Sequence, residues 1–163
     1  MSRPQHPDSA GSADSHAGLG NVLFDIWLVS RAATSQIDAA VQPSGLDADE
    51  FAIYSVLAGA DGMTPTELAN WMAAPPTTVS SYVKRFERRG HVRRVANPDD
   101  GRSYLLELTA SGRAAHRTAG ELFAPVLARV TSALGPAAAD THRLLQDLHA
   151  VVGSLEESVG DRS

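Results

Sequence analysis

Between Thr77 and Arg88 the chain gathers seven residues that are small hydroxyls or cations: Thr77, Thr78, Ser80, Ser81, Lys84, Arg85 and Arg88. Such side chains donate to phosphate oxygens and to base edges in a major groove. On a helical wheel at ~100° per residue, Val79, Val83 and Phe86 share a narrow arc that must face a core. Opposite them lie Thr77, Ser81, Lys84, Arg85 and Arg88, with Ser80 at the margin. Glu87 is the one acid in the segment, and it points sideways. Further on, Asn97-Pro98-Asp99-Asp100-Gly101 is a dense turn signal from which Arg102 projects. Asp100 is placed to hold the Arg102 guanidinium by a charge-assisted bond. A pre-oriented arginine at a hairpin tip suits a narrow minor groove, where the potential is most negative. The plainer reading is a solvated helix face and a surface ion pair of little worth.

These residues need a frame, and local signals supply one. Thr64-Pro65-Thr66-Glu67 has a capping hydroxyl, a proline suited to the first helical position and a glutamate closing a capping box. Leu68 and Trp71-Met72 are expected to face inward, with Ala73-Ala74 as a tight turn. The next helix opens at Pro75-Pro76 and stops at Gly90. Two strands follow, Val92–Ala96 and Ser103–Leu108. This order is a helix–turn–helix followed by a β-ribbon wing.

Upstream, Val22, Ile26, Val29, Ala33, Ile37 and Val41 recur at helical spacing, ending before Pro43-Ser44-Gly45. Asp47 and Glu50 bracket the start of a second helix, with Phe51, Tyr54, Val56 and Leu57 on its apolar side. Downstream, Thr109 caps a long helix to about Leu134, and Gly135-Pro136 breaks it. A last helix carries Leu144, Leu148, Val151, Leu155 and Val159. The apolar stripes of these terminal helices are too long for so small a winged module to bury, which points to a second copy. Residues 1–18, rich in Ser, Gly, Pro, Asp and His, read as a disordered tail. The predicted fold is mainly α with a small β-hairpin wing, in a single domain over 19–163. Residues 46–109 form the winged module, and 21–42 with 110–159 form dimerisation helices.

Composition narrows the function. Eight of the fourteen Lys and Arg lie between Lys84 and Arg113 against four acids, so this stretch is +4 on a chain of net charge −5. A basic element on an acidic body steers one face toward phosphate. The absence of cysteine excludes disulfides, thiolate zinc sites and cysteine redox switches. No uninterrupted apolar run approaches the ~20 residues of a membrane span, and the N-terminus has no secretory pattern, so a cytoplasmic location without membrane contact is expected. No phosphate-binding glycine loop or HExxH motif occurs, no cofactor is expected, and an enzyme is not the expected class. His142 and His149 lie seven apart on the last helix, which without a further ligand is weak support for a metal site.

The stretch TPTELANWMAAPPTTVSSYVKRFERRGHVRRVANPDDGRSYLLELTASG resembles the MarR family (multiple antibiotic resistance regulators) of winged-helix transcription factors. The matching pieces are the capped helix with ELA, the Thr/Ser-rich start of the following helix, its charged exit into Gly90, and a wing reading Asp100-x-Arg102-Ser103. The wing leads into Leu108-Thr109-Ala110-Ser111-Gly112. The resemblance implies a sequence-specific regulator, an obligate homodimer with interleaved terminal helices on a pseudo-palindromic operator in double-stranded DNA. It implies that Thr77, Thr78, Ser80, Ser81, Lys84 and Arg85 lie in the major groove, and Arg88, on the same outer face of the wheel, is a further candidate DNA contact. Asp100 and Arg102 would form the wing tip in the minor groove, with Ser103 beside them as a further candidate DNA contact. Repression relieved by a small aromatic or phenolic effector is the expected mode. Many members carry a basic residue where Ser81 stands, and two consecutive basic residues at the wing tip, where Gly101 replaces the first. Both departures lower the number of phosphate contacts.

For such an effector Trp27, Arg31, Phe51 and Trp71 are the candidate residues, an arginine one turn from a tryptophan suiting an aromatic carboxylate. The plainer reading has both tryptophans as packing residues and Arg31 solvated or paired with Asp38. The competing function is a winged helix used for protein contact, which would present apolar residues where this chain presents hydroxyls and cations.

Overall fold

The computed structural model describes residues 21–160, with side chains to residue 154; the predicted N-terminal tail lies outside the described residues. The elements are α1 (Val22–Val41), α2 (Ala48–Gly59), α3 (Pro65–Trp71), α4 (Pro76–Arg88), β1 (Val92–Ala96), β2 (Tyr104–Leu108), α5 (Ala110–Leu134) and α6 (Ala138–Gly160). Single 3₁₀ turns follow α1 and α5. The chain divides into two compact units within α1, after Ser35.

In the first unit, Asn21 precedes α1, and its side-chain carbonyl accepts the amides of Leu23 and Phe24. Val22, Leu23, Phe24, Trp27, Leu28 and Val29 are all exposed.

In the second unit, local chemistry starts each helix as the residue types predict. Asp47 accepts the Glu50 amide at 2.7 Å while the Glu50 carboxylate accepts the Asp47 amide at 3.3 Å. Thr64 and Glu67 form the same reciprocal box at the start of α3. Between α3 and α4, Ala73 takes φ +46°, a left-handed conformation that costs an L-residue ~1–2 kcal/mol. The turn is tight enough that α4 leaves almost at once, its first turn set by Pro75 and Pro76.

The core gathers Ile53, Tyr54 and Leu57 of α2, Leu68 of α3, Val79, Val83 and Phe86 of α4, and Val92, Leu106 and Leu108 of the hairpin, all buried. Tyr54 meets Phe86 edge to face at 4.8 Å between ring centroids. β1 and β2 pair antiparallel with Val92 opposite Leu108 and Ala96 opposite Tyr104. Met63 adds a third, one-residue rung by exchanging two backbone hydrogen bonds with Leu106.

The junction of hairpin and α5 is closely built. Thr109 caps α5 by accepting the Gly112 amide and donates its hydroxyl to the carbonyl of Gly90 at 2.7 Å. Ser111 donates to the same carbonyl at 2.8 Å. The Thr109 amide donates to the carbonyl of His91. The Leu-Thr-x-x-Gly sequence is therefore a latch that ties the start of α5 to the exit of α4.

Two expectations are corrected. Trp71, expected inward, is 43% exposed, because α3 is only two turns long and turns Leu68 and Ala69 to the core instead. Within Ala110–Ser154 an 18-residue window reaches a mean hydropathy of 1.3, so by length and composition one helical stretch could cross a membrane. Counting uninterrupted runs missed it because alanines and leucines raise the average between polar residues.

Candidate nucleic-acid interface

Apart from Arg85, the outward face of α4 is what its wheel predicts. Val79, Val83 and Phe86 are buried, while Thr77, Thr78, Ser80, Ser81, Lys84 and Arg88 are exposed. A shallow depression of about 640 Å³ runs beside this face, lined by Ser81, Lys84, Glu87 and Arg88. Ser81 donates its hydroxyl to the carbonyl of Thr77, one turn back.

Arg85 differs from its expected neighbours. Its guanidinium turns back onto α2, with Nε 2.8 Å from Glu50 Oε1 and Nη2 4.0 Å from Asp47. The close Arg85–Glu50 approach is an ion contact out of line for a hydrogen bond, and neither atom has another partner among the described residues. The same guanidinium lies 4.8 Å above the Tyr82 ring. Arg89 donates to the other Glu50 oxygen at 2.9 Å. Tyr82 donates to Asp49 at 3.0 Å, and burial, aided by that bond, pushes its hydroxyl up to about 12.

The hairpin cations are also spoken for. Arg93 pairs with Glu107, its cross-strand partner, at 2.7 Å. Arg94 grips both oxygens of Glu87 and stacks over Tyr104. Four of the eight basic residues in the stretch are thus neutralised within the fold. Lys84, Arg88, Arg102 and Arg113 carry no ion pair among the described residues, and the first three stand on α4 and the wing tip. A count of charges could not separate these two sets, since their partners lie on other elements.

At the wing tip the expected brace takes another form. Asp100 accepts the backbone amide of Arg102 at 3.0 Å, not its guanidinium. The short aspartate side chain closes an Asx turn on the chain two residues on, and the arginine side chain is left exposed. Ser103 is drawn into the same turn, donating to the carbonyl of Asp100 and accepting from the Asn97 amide group. Asp100 and Ser103 therefore shape the tip from which Arg102 projects.

The effector candidates divide between the two units. In the first unit, Arg31 lies over the exposed Trp27 ring at 5.3 Å, and Trp27 lines a depression of about 400 Å³ with Asn21, Leu23 and Phe24. In the second, Phe51 packs at 5.6 Å against both His116 and Phe123. His116 shares a 3.0 Å hydrogen bond with Ser55. Trp71 has no aromatic partner among the described residues. Asp38 accepts the Ala48 amide at 2.6 Å, anchoring the start of α2.

A tight helix–turn–helix, a hairpin closed on its exit and a polar outward face with unpaired cations define a winged-helix DNA-binding module. A MarR family model matches residues 44–103. The HTH-type transcriptional repressor Rv2887 of Mycobacterium tuberculosis is 33% identical over 142 residues, covering 85% of this chain and 97% of that protein. Among solved structures, the M. tuberculosis transcriptional regulator MosR (Rv1049) in complex with DNA is 30% identical, with a TM-score of 0.67 over 85% of this chain and 97% of the other. The likeness to CouR from Rhodococcus jostii RHA1 bound to p-coumaroyl-CoA is one of fold. There the TM-score is 0.71 at 21% identity, over 80% of this chain and 92% of that one. This chain belongs to the MarR family, and it is a DNA-binding transcriptional regulator.

Proposed function

We propose that the protein is a homodimeric repressor that lays the outward face of α4 in a major groove and the wing tip in the adjoining minor groove of a pseudo-palindromic operator. The observation that carries this is the division among its cations. Arg85, Arg89, Arg93 and Arg94 are held by acids, whereas Lys84, Arg88 and Arg102 are unpaired on α4 and the wing tip. Thr77, Thr78, Ser80 and Ser81 supply neutral donors on the same helix, and Asp100 and Ser103 shape the wing. A protein-contact module would gain nothing from this pattern.

Residues 46–109 serve as the reading module, with 21–42 and 110–159 as pairing helices. Pairing is supported by apolar residues left in water: Leu127, Val130 and Leu134 of α5 and Leu144, Leu145, Val151 and Val152 of α6 are exposed. Contiguous exposure of this kind marks an interface. Repression accords with the activity named for Rv2887. A small aromatic or phenolic effector is our reading of Trp27, Arg31, Phe51 and Trp71, in keeping with the acyl-CoA bound by CouR.

The test uses a duplex selected by the protein from a random-sequence pool. Lys84→Ala and Arg102→Ala should each lose at least tenfold in affinity while sedimenting as the parent dimer. Binding as tight as the parent's would remove the reading of this face. A thermal-shift series with aromatic acids tests the effector, and no shift with any of them would remove that part.

A further inference from the structure

We infer that Glu50 is a positioning residue for DNA reading: its buried carboxylate holds Arg85 of α4 and Arg89 at its C-terminal cap, and Arg85 acts through α2 and not on the duplex. This rests on the reading of α4 given above. Glu50 is the one buried charged residue among those described, at 2% exposure. Its two oxygens serve two guanidinium groups, one on α4 and one at its C-terminal cap, at 2.8 and 2.9 Å. A buried carboxylate of this kind is weak support for stability but strong geometry, since losing one partner strands the other charge.

The contacts form a stripe. Tyr82, Arg85 and Arg89 lie at helical spacing along one flank of α4, between the core arc and the outward face. All three reach the first turn of α2, through Asp49, Asp47 and Glu50. That turn is itself fixed by Asp38, which accepts the Ala48 amide. The bracket sits on the C-terminal half of α4, whereas Thr77, Thr78, Ser80 and Ser81 lie toward the N-terminus. α4 is about 20 Å long, so a tilt of about 10° moves its first turn by about 3 Å, enough to break every hydrogen bond made there.

Removing an acid near DNA should, by charge alone, tighten binding. Removing this one should weaken it. The variants Glu50→Gln, Arg85→Gln and their double mutant are to be titrated against the selected duplex and a scrambled one over a range of salt. Each single variant should lose at least tenfold on the selected duplex and less than threefold on the scrambled one. The double variant should be no weaker than the weaker single, and the slope of log affinity against log salt should match the parent's. If Glu50→Gln does not hold the parent's fold, Glu50→Asp, which keeps the charge but shortens its reach, must show the same loss. A slope reduced by about 0.9 in Arg85→Gln would mean a direct phosphate contact and overturn the inference. So would selected-duplex affinity within threefold of the parent in the folded Glu50 variant. A parent that selects no preferred duplex would overturn the DNA reading of α4 as well.

Discussion

A Cβ atom on Gly112 would lie 2.1 Å from the carbonyl oxygen of His91. No side chain fits there, because the first turn of α5 is drawn against the exit of α4 by the hydroxyls of Thr109 and Ser111. The glycine that closes the Leu-Thr-x-x-Gly sequence is required by close approach of two backbones, its neighbour being a carbonyl that cannot swing aside.

Gly112→Ala should therefore destabilise the fold by about 1–3 kcal/mol, the usual cost of overpacking. Chemical denaturation of the variant against the parent measures it. A change below about half a kcal/mol would show that the junction yields.

Ala73 gives the opposite expectation. Its φ of +46° is strained for alanine and free for glycine. Ala73→Gly should gain about 0.5–1 kcal/mol, relief of strain outweighing the extra freedom of the unfolded chain. Ala73→Val should lose more than that, since a β-branched residue resists the left-handed region. An unfolding midpoint that falls in Ala73→Gly would contradict the account of this turn.

Salt dependence should separate free from neutralised cations. Lys84→Ala, Arg88→Ala and Arg102→Ala should each lower the slope of log affinity against log salt by about 0.9. Arg93→Ala, which removes a cation already paired with Glu107, should leave the slope near the parent's. An equal loss in Arg93→Ala would refute the division.

His116 predicts an acid limb. Burial against Phe51, with the charge of Arg117 second, holds its imidazole below the usual 6.5. The unfolded chain then binds the proton first as pH falls. Stability should decline on acidification from about 6.5 down to the lowered value, and be regained as pH rises through the same window. Unfolding curves from pH 7.5 to 5 should show this for the parent and a shallower decline for His116→Gln. Identical profiles would assign the acid limb to other groups.

What was legible in the sequence followed the range of the physics. Capping boxes at Asp47/Glu50 and Thr64/Glu67 act over three residues, so residue types alone located the starts of α2 and α3. The buried arc of Val79, Val83 and Phe86 likewise needs nothing outside α4. Glu50 was legible only in its local role, as a cap. Its second role joins it to Arg89, 39 positions away, and no spacing rule reaches that far. The same limit hid the contact of Arg85 with Glu50 on α2, and moved the hold of Asp100 from a guanidinium to an amide. Trp71 misled for a different reason: large and apolar, it sits where a two-turn helix has already spent its inward positions.

The latch at Gly90 has a consequence for what the protein can recognise. It ties the exit of α4 to the start of α5 at the base of the hairpin, which sets where the wing leaves the helix. On the proposed reading of DNA, such a head would act as a ruler laid along the half-site. If α4 and the wing read DNA as proposed, one base pair added between their two stretches should weaken binding to the selected duplex.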